Sequence, residues 1–463
     1  MCEAAAVTAT DADLTAADVA WDLDTILGDD TIDSLIGRAE SIAADLQATK
    51  GTIGSLDAAR LAAVLHRIAD LQDCISRAEH YVSLRFTENT ADAARGAAMQ
   101  SVTERMTRVG TSLLFIDLEW AEADDAHAEA VLADPAVAFA AHHLRVLRQS
   151  RPHLLSEPEE RVLAETSVVG AGAWVRLFEE QTAAVTVELP AELGGGSASL
   201  MQAIAALQHP DRSIREAVAG GITAGLAPGL RTRAYIYNTL LLDRSVHDRL
   251  REYPSWVSSR NLANQASDES VEALVAAVVA RYDIPQRWYA LKARILGVER
   301  LADYDRMASV AETNREVGWA EATHIVRDAY ASFSPDLADI VGRFIDEQWI
   351  DAPVRPAKRG GAFCAYVTPS HHPYILLNWA SRPSDVATLA HELGHGVHGY
   401  LAREQSIFHQ STPLTVAETA SVFGETVTNN RLLSMLDDPS ERFALLASTI
   451  ENSIATVFRQ TAM

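Results

Sequence analysis

Cysteine is nearly absent. Only Cys2, Cys74 and Cys364 occur in 463 residues, an odd and scattered set that argues against a disulfide framework and fits a reducing compartment. No stretch of 18 or more apolar residues occurs, and the opening "MCEAAAVTATDADL" has neither the basic nor the apolar region of a secretory signal. The expected location is therefore cytoplasmic. Basic residues are also scarce: 39 against 63 acidic ones leave a net charge of -24, which repels phosphate backbones and anionic membrane surfaces. Neither nucleic acid nor a membrane is an expected partner. What remains is ordinary for a folded globular chain, with 48% hydrophobic and 22% charged residues, and its length exceeds the usual limit of one core, so two or more lobes are expected.

Helical patterns dominate. Ile32, Leu35, Ile36, Ala39, Ile42, Ala43 and Leu46 follow i, i+3, i+4 spacing after Thr31, with Lys50-Gly51 as a stop, and the pattern resumes from Leu61 to Val82. His66 and His80 fall in this stretch and read as structural or solvated histidines. At "AAVTVELPAELGGGSASLMQAI" the residues Val185, Val187 and Leu189 alternate and Pro190 and Gly194 to Gly196 mark turns, so a short hairpin or loop excursion is expected. No Gly-Lys-Ser/Thr signature accompanies the three glycines, which argues against a phosphate cradle and for a flexible turn. Helical spacing returns at Asp211.

A second break, "RPAKRGGAFCAYVTPSHHPYILLNWASRPSD", predicts two short strands, Ala362 to Val367 and Tyr374 to Trp379. A helix is then expected with Ser384 as N-cap and Asp385 in its first turn. Its apolar stripe is Val386, Leu389, Ala390, Leu393, Val397 and Leu401, which sets His391 and His395 together on a neighbouring face of "HELGHGVHGY". One turn rises about 5.4 Å, so two imidazoles four residues apart can converge on one ion. Glu392 stands beside the pair, where a carboxylate reaches a water rather than the metal. This is the HExxH division of labour: two ligands and one general base.

His398 returns to nearly the same face as His391, but seven residues climb about 10.5 Å, too far for one metal to meet both, so a supporting role is expected. The longer pattern with a third histidine also fails, since Glu404 occupies that place. A third ligand must come from elsewhere. The segment "TPLTVAETASVFGETVTNNRLL" offers Glu418 and Glu425 on one helical face, with Thr412 or Thr415 as the cap.

"TLAHELGHGVH" followed by "VAETASVFGE" resembles the oligoendopeptidase F branch of the thimet-oligopeptidase-like zinc metallopeptidases. The resemblance extends to "HPYILLNW", "LKARILGVERLADYD" and "WDLDTIL", and covers most of the chain from about Trp21 onward. It implies one zinc ion held by His391, His395 and Glu418, with Glu392 as catalytic residue and Glu425 holding a ligand histidine or the local packing. It also implies a mainly α zincin-type fold, with a small sheet beside the HExxH helix and a deep channel that admits short peptides. His372, in the family-like "HPY" run, is a candidate substrate contact, and the strand at 362–367 could pair with an extended peptide.

The expectation is thus a zinc metalloendopeptidase acting on oligopeptides. Its rivals are a peptide-binding module without turnover and a secreted protein-cleaving zincin; the full ligand set speaks against the first, and the lack of a signal peptide against the second. The expected organisation is a tail over 1–20, a helical lobe over 21–205 and a catalytic lobe over 206–463. The closing stretch carries Ile450, Ile454, Val457 and Phe458 at helical spacing without a capping glycine, while the resembling family continues further, so the expected chain is truncated and catalytically impaired.

Overall fold

Thr31 starts its helix by reciprocal capping: its hydroxyl accepts the Ser34 N–H, and the Ser34 hydroxyl accepts the Thr31 N–H. The computed structural model describes residues 10–167, 169–310 and 316–462, so Cys2 lies outside the described residues. It is mainly helical, with two small sheets. Among the described residues no single helix is long and apolar enough to cross a membrane.

Packing divides the chain into two units that interleave along the sequence. The first gathers the described residues of Met1–Arg161, Leu262–Gln265 and Arg315–Ser434, and the second those of Val162–Asn261, Ala266–Asn314 and Met435–Met463. This is a different cut from the lobes expected at 21–205 and 206–463. The tail expected over 1–20 is also, from residue 10, packed structure. Asp11–Thr15 forms α1, Asp13 accepts the Ala320 N–H at 2.8 Å, the Val19 carbonyl accepts the Ala352 N–H at 3.0 Å, and Ala16 enters a core.

In the first unit, α2 (Ile32–Leu46), α3 (Ala58–Glu88) and α4 (Ala93–Ser112) bury Leu35, Leu65, Val82 and Met106 in one core. A second core joins α5 (Trp319–Phe333) and α6 (Pro335–Asp346) to a sheet and to α7 (Pro383–Ala402), around Ile325, Phe344, Ile375 and Leu393. The sheet holds β1 (Ile350–Pro353), β2 (Phe363–Ala365) and β3 (Tyr374–Trp379) in the order β1-β3-β2, with β1 parallel and β2 antiparallel to β3. Strands β2 and β3 are the two expected, β2 being shorter than 362–367. β1 was not expected. The Lys358 ammonium is buried against the Asp351 carboxylate and also donates to the Pro353 carbonyl at 2.8 Å, which ties the chain after β1 back onto that strand.

In the second unit, of the expected hairpin or loop excursion it is the hairpin that forms, Thr186–Glu188 pairing antiparallel with Ser197–Ser199. Gly194, Gly195 and Gly196 all take positive φ in its connection, as a turn requires. Of the closing stripe, Ile454 is buried and Phe458 packs against the same core, while Ile450 and Val457 are exposed; a π-type turn over Ala455–Arg459 shifts the helical phase after Ile454.

Candidate metal centre

Pro383 occupies the first helical position of α7, where its missing N–H costs nothing, and this sets the cap at Arg382 rather than at Ser384. Asp385 does the capping from three residues on, accepting the N–H groups of Ala380 at 2.8 Å and Arg382 at 3.1 Å. Val386, Leu389, Ala390, Leu393 and Val397 are buried, each large aliphatic worth about 1.5–3 kcal/mol relative to exposure, and they fix the rotation of α7. Leu401, expected to close the stripe, is exposed. On the neighbouring face the His391 and His395 rings lie 4.9 Å apart.

Helix α8 (Leu414–Met435) follows Pro413. Thr415 sits inside its first turn and donates to the Asn264 carbonyl at 3.0 Å, so neither Thr412 nor Thr415 takes the expected capping position. Two glycines let α7 and α8 meet backbone to backbone. A Cβ on Gly394 would clash with the Ala420 carbonyl oxygen, and one on Gly424 would clash with the Tyr330 hydroxyl and the Ala390 carbonyl oxygen. This approach brings both glutamates of α8 to α7.

His391 is bracketed by them. Its Nδ1 lies 2.6 Å from Glu425 Oε1, and its Nε2 lies 3.4 Å from Glu418 Oε2. His395 Nε2 lies 3.4 Å from the same Glu418 oxygen. Bonds of about 2.0–2.1 Å at tetrahedral angles separate neighbouring ligand atoms by about 3.3–3.4 Å, so this donor set fits zinc. One ligand atom from each of the three residues lies within 4.8 Å of the others, and no other such group occurs among the described residues. With Nδ1–H donated to Glu425, the His391 Nε2 lone pair is left for a metal.

The hydrogen bond that His391 donates to Glu425 raises its pKa, whereas burial lowers that of His395. Glu392 is buried, and its Oε2 has no hydrogen-bond partner. Burial, reinforced by Glu418 and Glu425 and opposed by His391, pushes this carboxyl up to about 7. Burial, reinforced by Glu392 nearby, pushes the thiol of Cys364 in β2 up.

Two neighbours escaped the sequence reading. Ser421, fully buried, donates to Glu418 Oε2 at 2.6 Å and so orients the shared carboxylate. Its only signal was a hydroxyl three residues beyond a candidate ligand. Tyr366 donates to the His395 carbonyl at 2.8 Å and carried no signal at all. His398 is not in the ligand group; its Nδ1 is buried without a partner. His372 is not brought to the group either. It stacks on Trp349 at 3.9 Å, donates from Nδ1 to the Pro373 carbonyl, is pushed down to about 4 by burial, and lines a cavity of about 490 Å³ that none of the metal group enters.

Residues 205–463 match the model of peptidase family M3, and residues 119–186 match that of oligopeptidase F. The chain belongs to peptidase family M3. It falls in the oligoendopeptidase F branch: 330 residues are 27% identical to oligopeptidase PepF of Bacillus subtilis (strain 168), covering 69% of this chain and 48% of that protein. Over 449 residues this M3 chain is 24% identical to group B oligopeptidase PepB of Streptococcus agalactiae serotype III (strain NEM316), covering 95% and 74%. The chain thus spans about half the length of the first relative and three quarters of the second. Its fold is that of the crystal structure of oligoendopeptidase-F from Enterococcus faecium, with a TM-score of 0.63, 20% identity, and coverage of 95% of this chain and 72% of that one.

Proposed function

We propose that the chain is a zinc-dependent endopeptidase hydrolysing internal bonds of short peptides in the cytoplasm, with His391, His395 and Glu418 as the ligands of one zinc. The observation that carries this reading is the single Glu418 oxygen standing 3.4 Å from both imidazole Nε2 atoms. When bound, the metal supplies Lewis acidity for the scissile carbonyl and acidifies water. Glu392, with its unpartnered oxygen, accepts the proton of the attacking water and returns it to the leaving amine. Glu425 holds the His391 ring and its tautomer, and Ser421 holds the Glu418 carboxylate. His398 supports the ligand helix one turn on. Strand β2 pairs with β3 on one side only, and its free edge is suited to align an extended peptide.

The test is to incubate the chain with a peptide mixture, with and without chelator and re-added zinc, and to read the products by mass spectrometry. Internal cleavage that chelation abolishes and zinc restores is expected. A peptide-binding module without turnover is the second reading, and zinc-bound protein that binds peptides uncut would favour it.

A further inference from the structure

The first unit contains a second cavity, of about 360 Å³, walled by Glu79 and His80 of α3, Tyr366 and Val367 after β2, and Ile407 and Gln410 between α7 and α8. Its size lies within the range of about 300–1,000 Å³ typical of small-ligand sites. Two of its polar groups have no protein partner among the described residues. Gln410 is only 5% exposed, yet its Nε2 has no hydrogen-bond partner. Glu79 has no ion pair or hydrogen bond among the described residues, and burial alone acts on its carboxyl, raising its pKa. No lysine or arginine lines the cavity, and burial lowers the pKa of His80, whose Nδ1 is spent on the Ser76 carbonyl. The site therefore offers one uncompensated acid, one free donor and apolar walls.

The cavity also continues the line of the metal group. Tyr366, which forms part of its wall, spends its hydroxyl on the His395 carbonyl, and Cys364, two residues earlier on edge strand β2, lies beside Glu392. Extended chain advances about 3.3 Å per residue, so Cys364 to Val367 spans about 10 Å. A peptide paired with this edge and cut beside Glu392 would present to the cavity a side chain two or three residues from the scissile bond.

We propose that this cavity is a specificity pocket for a basic peptide side chain, lysine or arginine. The aliphatic stem lies along Val367, Ile407 and the Tyr366 ring, the cationic head pairs with Glu79, and Gln410 donates to a main-chain carbonyl of the peptide. The chain's net charge of -24 favours the approach of such peptides. The inference rests on the peptidase reading, so binding and cleavage are measured separately.

Alanine-based octapeptides carrying one lysine at successive positions, each with a norleucine twin, are titrated calorimetrically into zinc-loaded Glu392→Gln protein. One register is expected to bind at least about tenfold tighter with lysine than with norleucine. Glu79→Gln in the same background, which removes no partner and should melt as its parent does, abolishes that preference. The proposal is overturned if no register prefers lysine by more than about twofold, whether through equal binding or none, or if Glu79→Gln retains the preference. The unmutated zinc-loaded chain is then given the same peptides: failure to cut any of them counts against the peptidase reading, whereas cutting without lysine preference in binding sinks the pocket alone.

Discussion

Helix α7 buries Val386, Leu389, Ala390 and Leu393 almost completely, whereas the ligand-bearing half of α8 leaves Leu414, Val416 and Val422 exposed and the Glu418 side chain 55% exposed. The histidines are placed by the hydrophobic core. Glu418 is placed by the glycine-mediated contact between the helices, one hydroxyl from Ser421 and the Thr415 anchor. The difference teaches that two-thirds of the donor set stands preorganised, while the last third depends on local contacts that single substitutions can remove. A bound metal would order α8 more than α7.

The largest effect should come from α7, without disturbing its metal. Glu392→Gln is expected to lower peptide turnover by about 10²–10⁴-fold with zinc content unchanged, because the ligands survive and the base does not. Comparable activity in the variant would remove Glu392 from the chemistry. On α8, Glu425→Ala should weaken zinc affinity by about 10–100-fold, as expected for a group that orients a ligand, and Glu418→Ala should weaken it more. Equal losses in a competition titration would mean that Glu418 is not distinguished as the ligand, and a larger loss for Glu425→Ala would mean that the two carboxylates have been assigned in the wrong order. Gly394→Ala forces a methyl into the Ala420 carbonyl and should cost about 1–3 kcal/mol in thermal or denaturant unfolding, together with weaker zinc binding. An unchanged melt and affinity would show that the close approach is not what seats Glu418. Ser421→Ala should be mildest, about a tenfold loss of zinc affinity, at the low end for such supporting groups. No loss would leave the carboxylate oriented by the helix alone.

The sequence made α7 legible because its chemistry and its packing share one period: the histidines recur every four residues beside an apolar stripe. Glu418 was not separable from Glu425 by spacing, and only the family resemblance chose between them. The geometry explains why both matter, since seven residues of α8 reach opposite nitrogens of His391. β1 was missed because all four of its residues are buried, so Ile350–Pro353 shows no alternation, and Asp351 within it reads as a turn residue until Lys358 is seen to neutralise it. The N-cap of α7 was misplaced because Asp385 caps from the third helical position. His372 was drawn to the substrate by its motif, yet in the fold its ring is held by Trp349.

The most direct test of the metal centre is X-ray absorption at the zinc edge on the zinc-loaded chain, alongside Glu418→Ala. The account predicts one zinc per chain with two imidazole nitrogens and a carboxylate oxygen at about 2.0–2.2 Å, and a first shell that loses its carboxylate in the variant. Substoichiometric zinc after supplementation, sulfur in the first shell, or a spectrum unchanged by Glu418→Ala would contradict it.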